Sequence, residues 1–266
     1  LDALFIAVFN WGVAGAAIAT GLSQCVGGVL PLIYFLRPND SLLRMRPTSL
    51  RLRPILQACG NGSSELMSNI SSSLVGMLYN FQLMHLIGED GVSAYGVLMY
   101  VQFIFVAIFI GYSIGCAPVV SFHFGAQNHN ELKSLLRKST LLMASGGVLL
   151  TIAARLLAAP LARLFVGYDA GLFELTSHAF RLFSWSFLLA GFNIFASGFF
   201  TALNNGAISA AISFLRTLVF QTASVLILPL LLDVDGIWWA ITVAEIFAFL
   251  ISLMFLYLKR NKYHYL

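Results

Sequence analysis

Apolar residues run almost unbroken through seven stretches of this chain, roughly 13–36, 58–87, 93–118, 139–160, 176–203, 207–232 and 236–258, with the charges gathered between them. Each reaches the length of about 20 residues that a helix needs to cross the hydrocarbon core of a bilayer. A backbone in lipid must satisfy its own polar groups, so the pattern predicts helices. The short alternating segments of a membrane barrel do not fit stretches this long and uniform.

The second stretch carries polarity inside it. At about 100° per residue, Asn61, Glu65, Ser68, Asn69, Ser72, Gly76, Tyr79 and Asn80 share a sector about 120° wide, while Leu66, Met67, Ile70, Leu74 and Met77 fall opposite. Polar groups turned toward lipid cost several kcal/mol, so this face is expected to look at protein or water. Serine and glycine alone would read as helix–helix contact. A carboxylate with asparagines beside it reads as the wall of a polar cavity. The fifth stretch repeats the device with Ser186, Ala190, Asn193, Ser197, Thr201 and Asn204, and the third lines up Tyr95, Gln102 and Ser113. Arg216 and Glu245 are further intramembrane charges, placed to pair if their side chains reach one another.

Composition fixes the class. Of 266 residues, 59% are hydrophobic and 10% charged, against about 25% charged in soluble domains. The expected fold is all-α and integral to the membrane, with seven transmembrane helices. The net charge of +4 resolves into topology. If every span crosses, Arg37, Arg44, Arg46, Arg51, Arg53, Lys133, Arg137, Lys138, Lys259, Arg260 and Lys262 fall on one side. The other side holds Arg163 with Glu89, Asp90, Asp169, Glu174, Asp233 and Asp235. The positive-inside rule makes the basic side, and with it the C-terminus, cytoplasmic, in a multi-pass protein of the cell inner (plasma) membrane. The charge is spent on topology and points to no nucleic acid.

Other chemistry finds little foothold. The five histidines show no metal-ligand spacing, and no metal or cofactor is expected. There is no HExxH pair, phosphate loop or serine–lysine arrangement, which argues against an enzyme. Cys25, Cys59 and Cys116 are odd in number and sit in apolar surroundings, so they read as small buried residues rather than a disulfide framework. The first residue is Leu1, with no basic region of a signal peptide behind it.

The chain also resembles itself. "GVAGAAIATGLSQCVGGVLPLIYFLR" from residue 12 and "GIWWAITVAEIFAFLISLMFLYLKR" from residue 236 both start Gly-Val/Ile, carry an alanine four positions on, and end in leucine before basic residues. A last span repeating the first is the arrangement of duplicated transporter bundles. Residues 1–36 would then end one six-helix bundle, whose five earlier spans are expected upstream. Residues 37–57, with Pro38, Pro47 and Pro54, form a cytoplasmic linker. Residues 58–258 make the next complete bundle, and 259–266 a cytoplasmic tail.

Three landmarks in order carry a family resemblance. "GYSIGCAPVVSFHFGAQNHNELKSLLRKS" at 111–139 resembles the region after the eighth span of the MATE (multidrug and toxin extrusion) antiporters. "LDALFI…WGVAGAAIAT" at 1–20 is similar to their junction between fifth and sixth spans, and "DGIWWAITVAE" at 235–245 to the start of their last. The resemblance implies two pseudo-symmetric bundles around a central cavity. It implies export of small amphipathic, often cationic compounds in exchange for sodium or protons, by alternating access. Glu65 matches the acidic residue that the family often carries in its seventh span. Where some members have an aspartate in the tenth, this chain has Asn193. The acidic residue that others use in the first span lies outside the chain.

On this reading the substrate and cation cavity is lined by Glu65, Asn61, Asn69, Ser72, Asn80, Asn193 and Ser197. Glu245, Arg216, Gln102 and Tyr95 are secondary candidates, and Tyr79, Tyr95, Tyr112 and Phe109 could offer cation–π faces. The partners are the substrate, membrane lipid and the N-terminal bundle of the same full-length chain. A lipid-linked oligosaccharide flippase of similar architecture is the first alternative, expected to have a more basic cavity. A non-transporting membrane scaffold is the second, and it leaves the polar stripes unexplained.

Overall fold

The computed structural model describes residues 1, 4–37 and 51–265. Most of the expected linker, 38–50, lies outside the described residues. The chain forms two compact units, Leu1–Leu52 and Arg53–Leu266.

In the first unit a π-helical turn, Leu4–Val8, precedes α1, Gly12–Leu36. Asn10, at φ 53°, turns the chain between them. Phe5, Phe9 and Trp11 cluster there with ring centroids 5.2–6.0 Å apart. A Cβ on Gly15 would sit 3.1 Å from the Phe5 carbonyl oxygen, so the absence of a side chain lets the turn lie on the helix.

The second unit holds α2 (Leu52–Leu86), α3 (Glu89–Gly125), α4 (His129–Val166), α5 (Ala170–Phe183), α6 (Phe187–Ala202), α7 (Gly206–Phe214), α8 (Thr222–Ile227) and α9 (Pro229–Tyr263). A 3-10 turn, Ser184–Ser186, joins α5 to α6, and a π-helical segment, Leu215–Gln221, joins α7 to α8. The seven expected spans therefore appear as α1, α2, α3, α4, α5–α6, α7–α8 and α9. Among the described residues six of these are long and apolar enough to cross a membrane. The exception is α2, because its polar face lowers its average.

The loops are shorter than the charge pattern implied. Where a basic loop is expected over 122–138, α3 runs to Gly125 and α4 starts at His129. Lys133, Arg137 and Lys138 ride on the first turns of a helix that continues into the span. The same device reverses the chain twice: a residue at φ 57° (Gln127, Asn204) followed by an asparagine N-cap. The Asn128 side chain accepts from the Glu131 amide and that of Asn205 from the Ile208 amide.

The centre of the unit is α6. Of the most apolar stretch of the α5–α6 span, 61% is buried, against 17% in α3. Glycines set the helix crossings. A Cβ on Gly147 of α4 would lie 2.6 Å from the Leu188 carbonyl oxygen, and one on Gly191 would meet the Phe109 ring of α3 at 2.7 Å. On Gly198 it would collide with the Ser113 hydroxyl.

At Leu232 and Asp233 the helical geometry of α9 breaks, with Asp233 at φ 48°. A Cβ on Gly236 would strike the Leu228 carbonyl. Each of the two matched segments is thus entered through a left-handed residue, Asn10 before Gly12 and Asp233 before Gly236. At the other end, where a tail is expected over 259–266, α9 continues to Tyr263. His264 then turns at φ 52° and Tyr265 is fully buried, its ring 5.3 Å from that of Phe199.

Candidate functional site

Two faces of α2 share the work. Ser71, Val75, Tyr79 and Leu83, four residues apart, are buried in the unit. The Tyr79 ring stacks on Tyr95 of α3 at 4.9 Å and 8°. Nearer the start of α2, the Asn61 side-chain amide donates to the Thr201 carbonyl at 3.3 Å. Gly206 packs so closely there that a Cβ would lie 2.5 Å from the Asn61 Cα.

Beside that packed stripe, Glu65, Asn69, Ser72 and Asn80 are exposed on the described chain. Their donors are satisfied within the helix. Asn69 donates to the Glu65 carbonyl at 2.8 Å, Ser72 to that of Ser68 at 2.8 Å, and Asn80 to that of Gly76 at 3.0 Å. Such back-bonding lets polar residues occupy a helix without an outside partner. A carboxylate has no donor with which to do the same, and no ion pair to Glu65 forms among the described residues.

The α6 stripe meets other helices of the unit. Asn193 is fully buried, and its Nδ2 donates to the Glu245 Oε2 at 2.6 Å and to the Glu245 carbonyl at 3.0 Å. Glu245 is itself 3% exposed. Arg216 donates to it through Nε at 2.9 and 3.1 Å and through Nη2 at 2.6 Å. The pair left open by the sequence therefore forms, with Asn193 as its third member. Arg216 stands on the π-helical segment Leu215–Gln221.

One turn along α6, Ser197 joins a ladder of hydroxyls. Its Oγ lies 2.8 Å from that of Ser209 and 2.9 Å from that of Ser213, and Thr201 donates to Ser209 at 2.7 Å. Ser209 and Ser213 were not among the expected site residues. Their four-residue spacing in "GAISAAISF" was the available signal.

The other candidates are placed by packing. Tyr95 is buried against Tyr79, and Gln102 is half-buried. Phe109 is buried against α6, and the Tyr112 hydroxyl pairs with that of Ser139 at 2.9 Å. Among the described residues no group of three or more His, Cys, Asp or Glu is placed to hold a metal. Cys25 and Cys59 are exposed rather than buried. In a membrane chain, apolar neighbours mark lipid as often as core.

Known proteins agree with this architecture. The MatE family model matches residues 66–226. Two curated relatives are the multidrug export proteins MepA of Staphylococcus aureus (strain MRSA252), 22% identical, and of Staphylococcus saprophyticus, 24% identical. Each alignment covers 98% of this chain and 57% of the relative, so the chain spans little more than half their length. Among solved structures, a MATE crystallised in complex with MaL6 superposes with a TM-score of 0.90 at 20% identity, over 99% of this chain and 60% of that one. A multidrug resistance MATE family transporter of the MOP superfamily, in its outward-facing conformation, gives 0.89 at 21% identity over the same shares. With these likenesses beside its apolar helices, the chain is a multi-pass membrane protein that belongs to the MatE family of transporters.

Proposed function

We propose that the protein exports small amphipathic, often cationic compounds in antiport with sodium or protons, and that Glu65 is the group at which cargo and coupling cation exclude one another. The observation that carries this reading is an exposed carboxylate, without an ion pair among the described residues, on the polar face of α2 in a chain of this family. A carboxylate within a membrane protein's polar pathway is costly without a positive partner. A proton, a sodium ion and a cationic substrate each meet that need, and one site cannot hold two of them. Ligands that favour opposite-facing states then drive the switch between them.

Asn61 and Asn69, one turn to either side, would offer hydrogen bonds beside Glu65, Ser72 and Asn80 would line the same face farther along α2, and Asn193 and Ser197 would brace the helices behind it. The N-terminal bundle of the full-length chain would supply the opposite wall of the cavity, and α1 would be that bundle's last helix. The basic ends of α4 and α9 support a cytoplasmic C-terminus, in a protein of the inner (plasma) membrane. No cofactor is needed, since the cation gradient supplies the energy.

The test is drug efflux from cells expressing the full-length protein, with and without Glu65→Gln, in sodium and in sodium-free buffer. Export that survives Glu65→Gln unchanged would leave a role for the polar face in packing only, as a scaffold predicts.

A further inference from the structure

The interior of the second unit contains a carboxylate that the exchange at Glu65 does not use. Glu245 is 3% exposed, and Arg216 is the one charged side chain within ion-pair distance of it among the described residues. From α6 it meets the neutral Asn193, whose amide nitrogen is committed to the carboxylate at 2.6 Å. That commitment fixes which end of the amide points where. Asn193 Oδ1, in a fully buried side chain, is left with no donor. Thr242 lies three residues before Glu245 on the same face of α9; it is buried, and its Oγ1 also lacks a partner.

One unpartnered oxygen thus belongs to the amide that bonds the carboxylate, the other lies about one helical turn from Glu245 on α9, and the positive charge at the carboxylate is borne by a side chain. Guanidinium donors point in fixed directions, and here Nε and Nη2 engage the two carboxylate oxygens. A small cation has no such directions and takes whichever oxygens surround it. Arg216 also rides on a π-helical segment, a rare form frequently found at functional sites. Reversion of that segment to α-helical bonding would change the direction in which Arg216 leaves the backbone.

We propose that Glu245, Asn193 and Thr242 form a second monovalent-cation site, held in this conformation by the Arg216 guanidinium as a tethered competitor that a sodium ion or a proton displaces. The proposal rests on the antiport reading for its purpose, but the binding itself is independent of cargo.

The test uses the intact, purified protein carrying Glu65→Gln, so that a cation at Glu65 is not counted. Equilibrium binding of radioactive sodium and proton uptake after a pH step are measured per chain. Adding Arg216→Gln is expected to produce one further bound cation, as sodium in the first assay or as a proton in the second. Adding Glu245→Gln to that variant removes it. An Arg216→Gln protein that melts cooperatively, yet binds no more of either cation than the Arg216→Gln/Glu245→Gln protein, overturns the proposal. Arg216→Lys keeps the charge but loses the two-pronged grip. It is expected to raise sodium affinity or proton uptake at least tenfold over the parent, and it carries the test if Arg216→Gln does not fold; no change in either then overturns the proposal. Neither result depends on drug efflux, so an inactive exporter would not decide this question.

Discussion

Taking the charge from Glu245 alone leaves the half-buried Arg216 guanidinium without its counter-ion. Breaking a buried pair on one side costs about 3–5 kcal/mol, while replacing both partners with neutral groups of similar size costs far less. Glu245→Gln is therefore expected to lower the thermal midpoint of the detergent-solubilised protein, and Arg216→Gln/Glu245→Gln to restore most of the loss. Asn193→Leu should cost about 1–3 kcal/mol, because it strips a donor from the same carboxylate; melting of that variant under the same conditions checks it. The sequence named all three residues but left the pairing open. Whether the Arg216 and Glu245 side chains reach one another depends on how α9 packs against the segment Leu215–Gln221, which the pattern along the chain does not contain. The donors of Asn69, Ser72 and Asn80 were equally hidden, since back-bonding to a carbonyl four residues away leaves no trace in hydropathy.

Helix packing shows a second boundary of what the sequence tells. All seven stretches form helices, and length and apolarity mark six of them as membrane-crossing; α2 does not meet that measure because of its polar face. The positions of their ends were not legible. Helix caps such as Asn128 and Asn205 shorten loops that charge alone made look long. "KRNKYHYL" reads as a tail until His264 turns back and buries Tyr265. Crossings depend on particular glycines. Gly147→Val must push against the Leu188 carbonyl, a backbone atom that cannot swing aside. It is expected to destabilise the protein by about 1–3 kcal/mol, read as a lower melting temperature, whereas Gly111→Val, with open space around it, should be silent in the same assay. The Ser197–Ser209–Ser213 ladder is a milder case. Interhelical hydrogen bonds in membranes average about 0.6 kcal/mol, so Ser209→Ala should shift the melt only slightly.

For the whole molecule, the Asn10 and Asp233 turns give the internal repeat a geometric counterpart in each unit. The chain spans little more than half the length of the relatives it matches. The transport account then comes down to competition at one carboxylate. The most direct measurement is the affinity of a cationic substrate for the purified full-length protein, titrated against sodium and against pH, with and without Glu65→Gln. The account predicts that, for the unaltered protein, saturating cation weakens substrate binding about tenfold for each tenfold rise in cation concentration. The Glu65→Gln titration should be flat. Equal cation dependence in both proteins would contradict it.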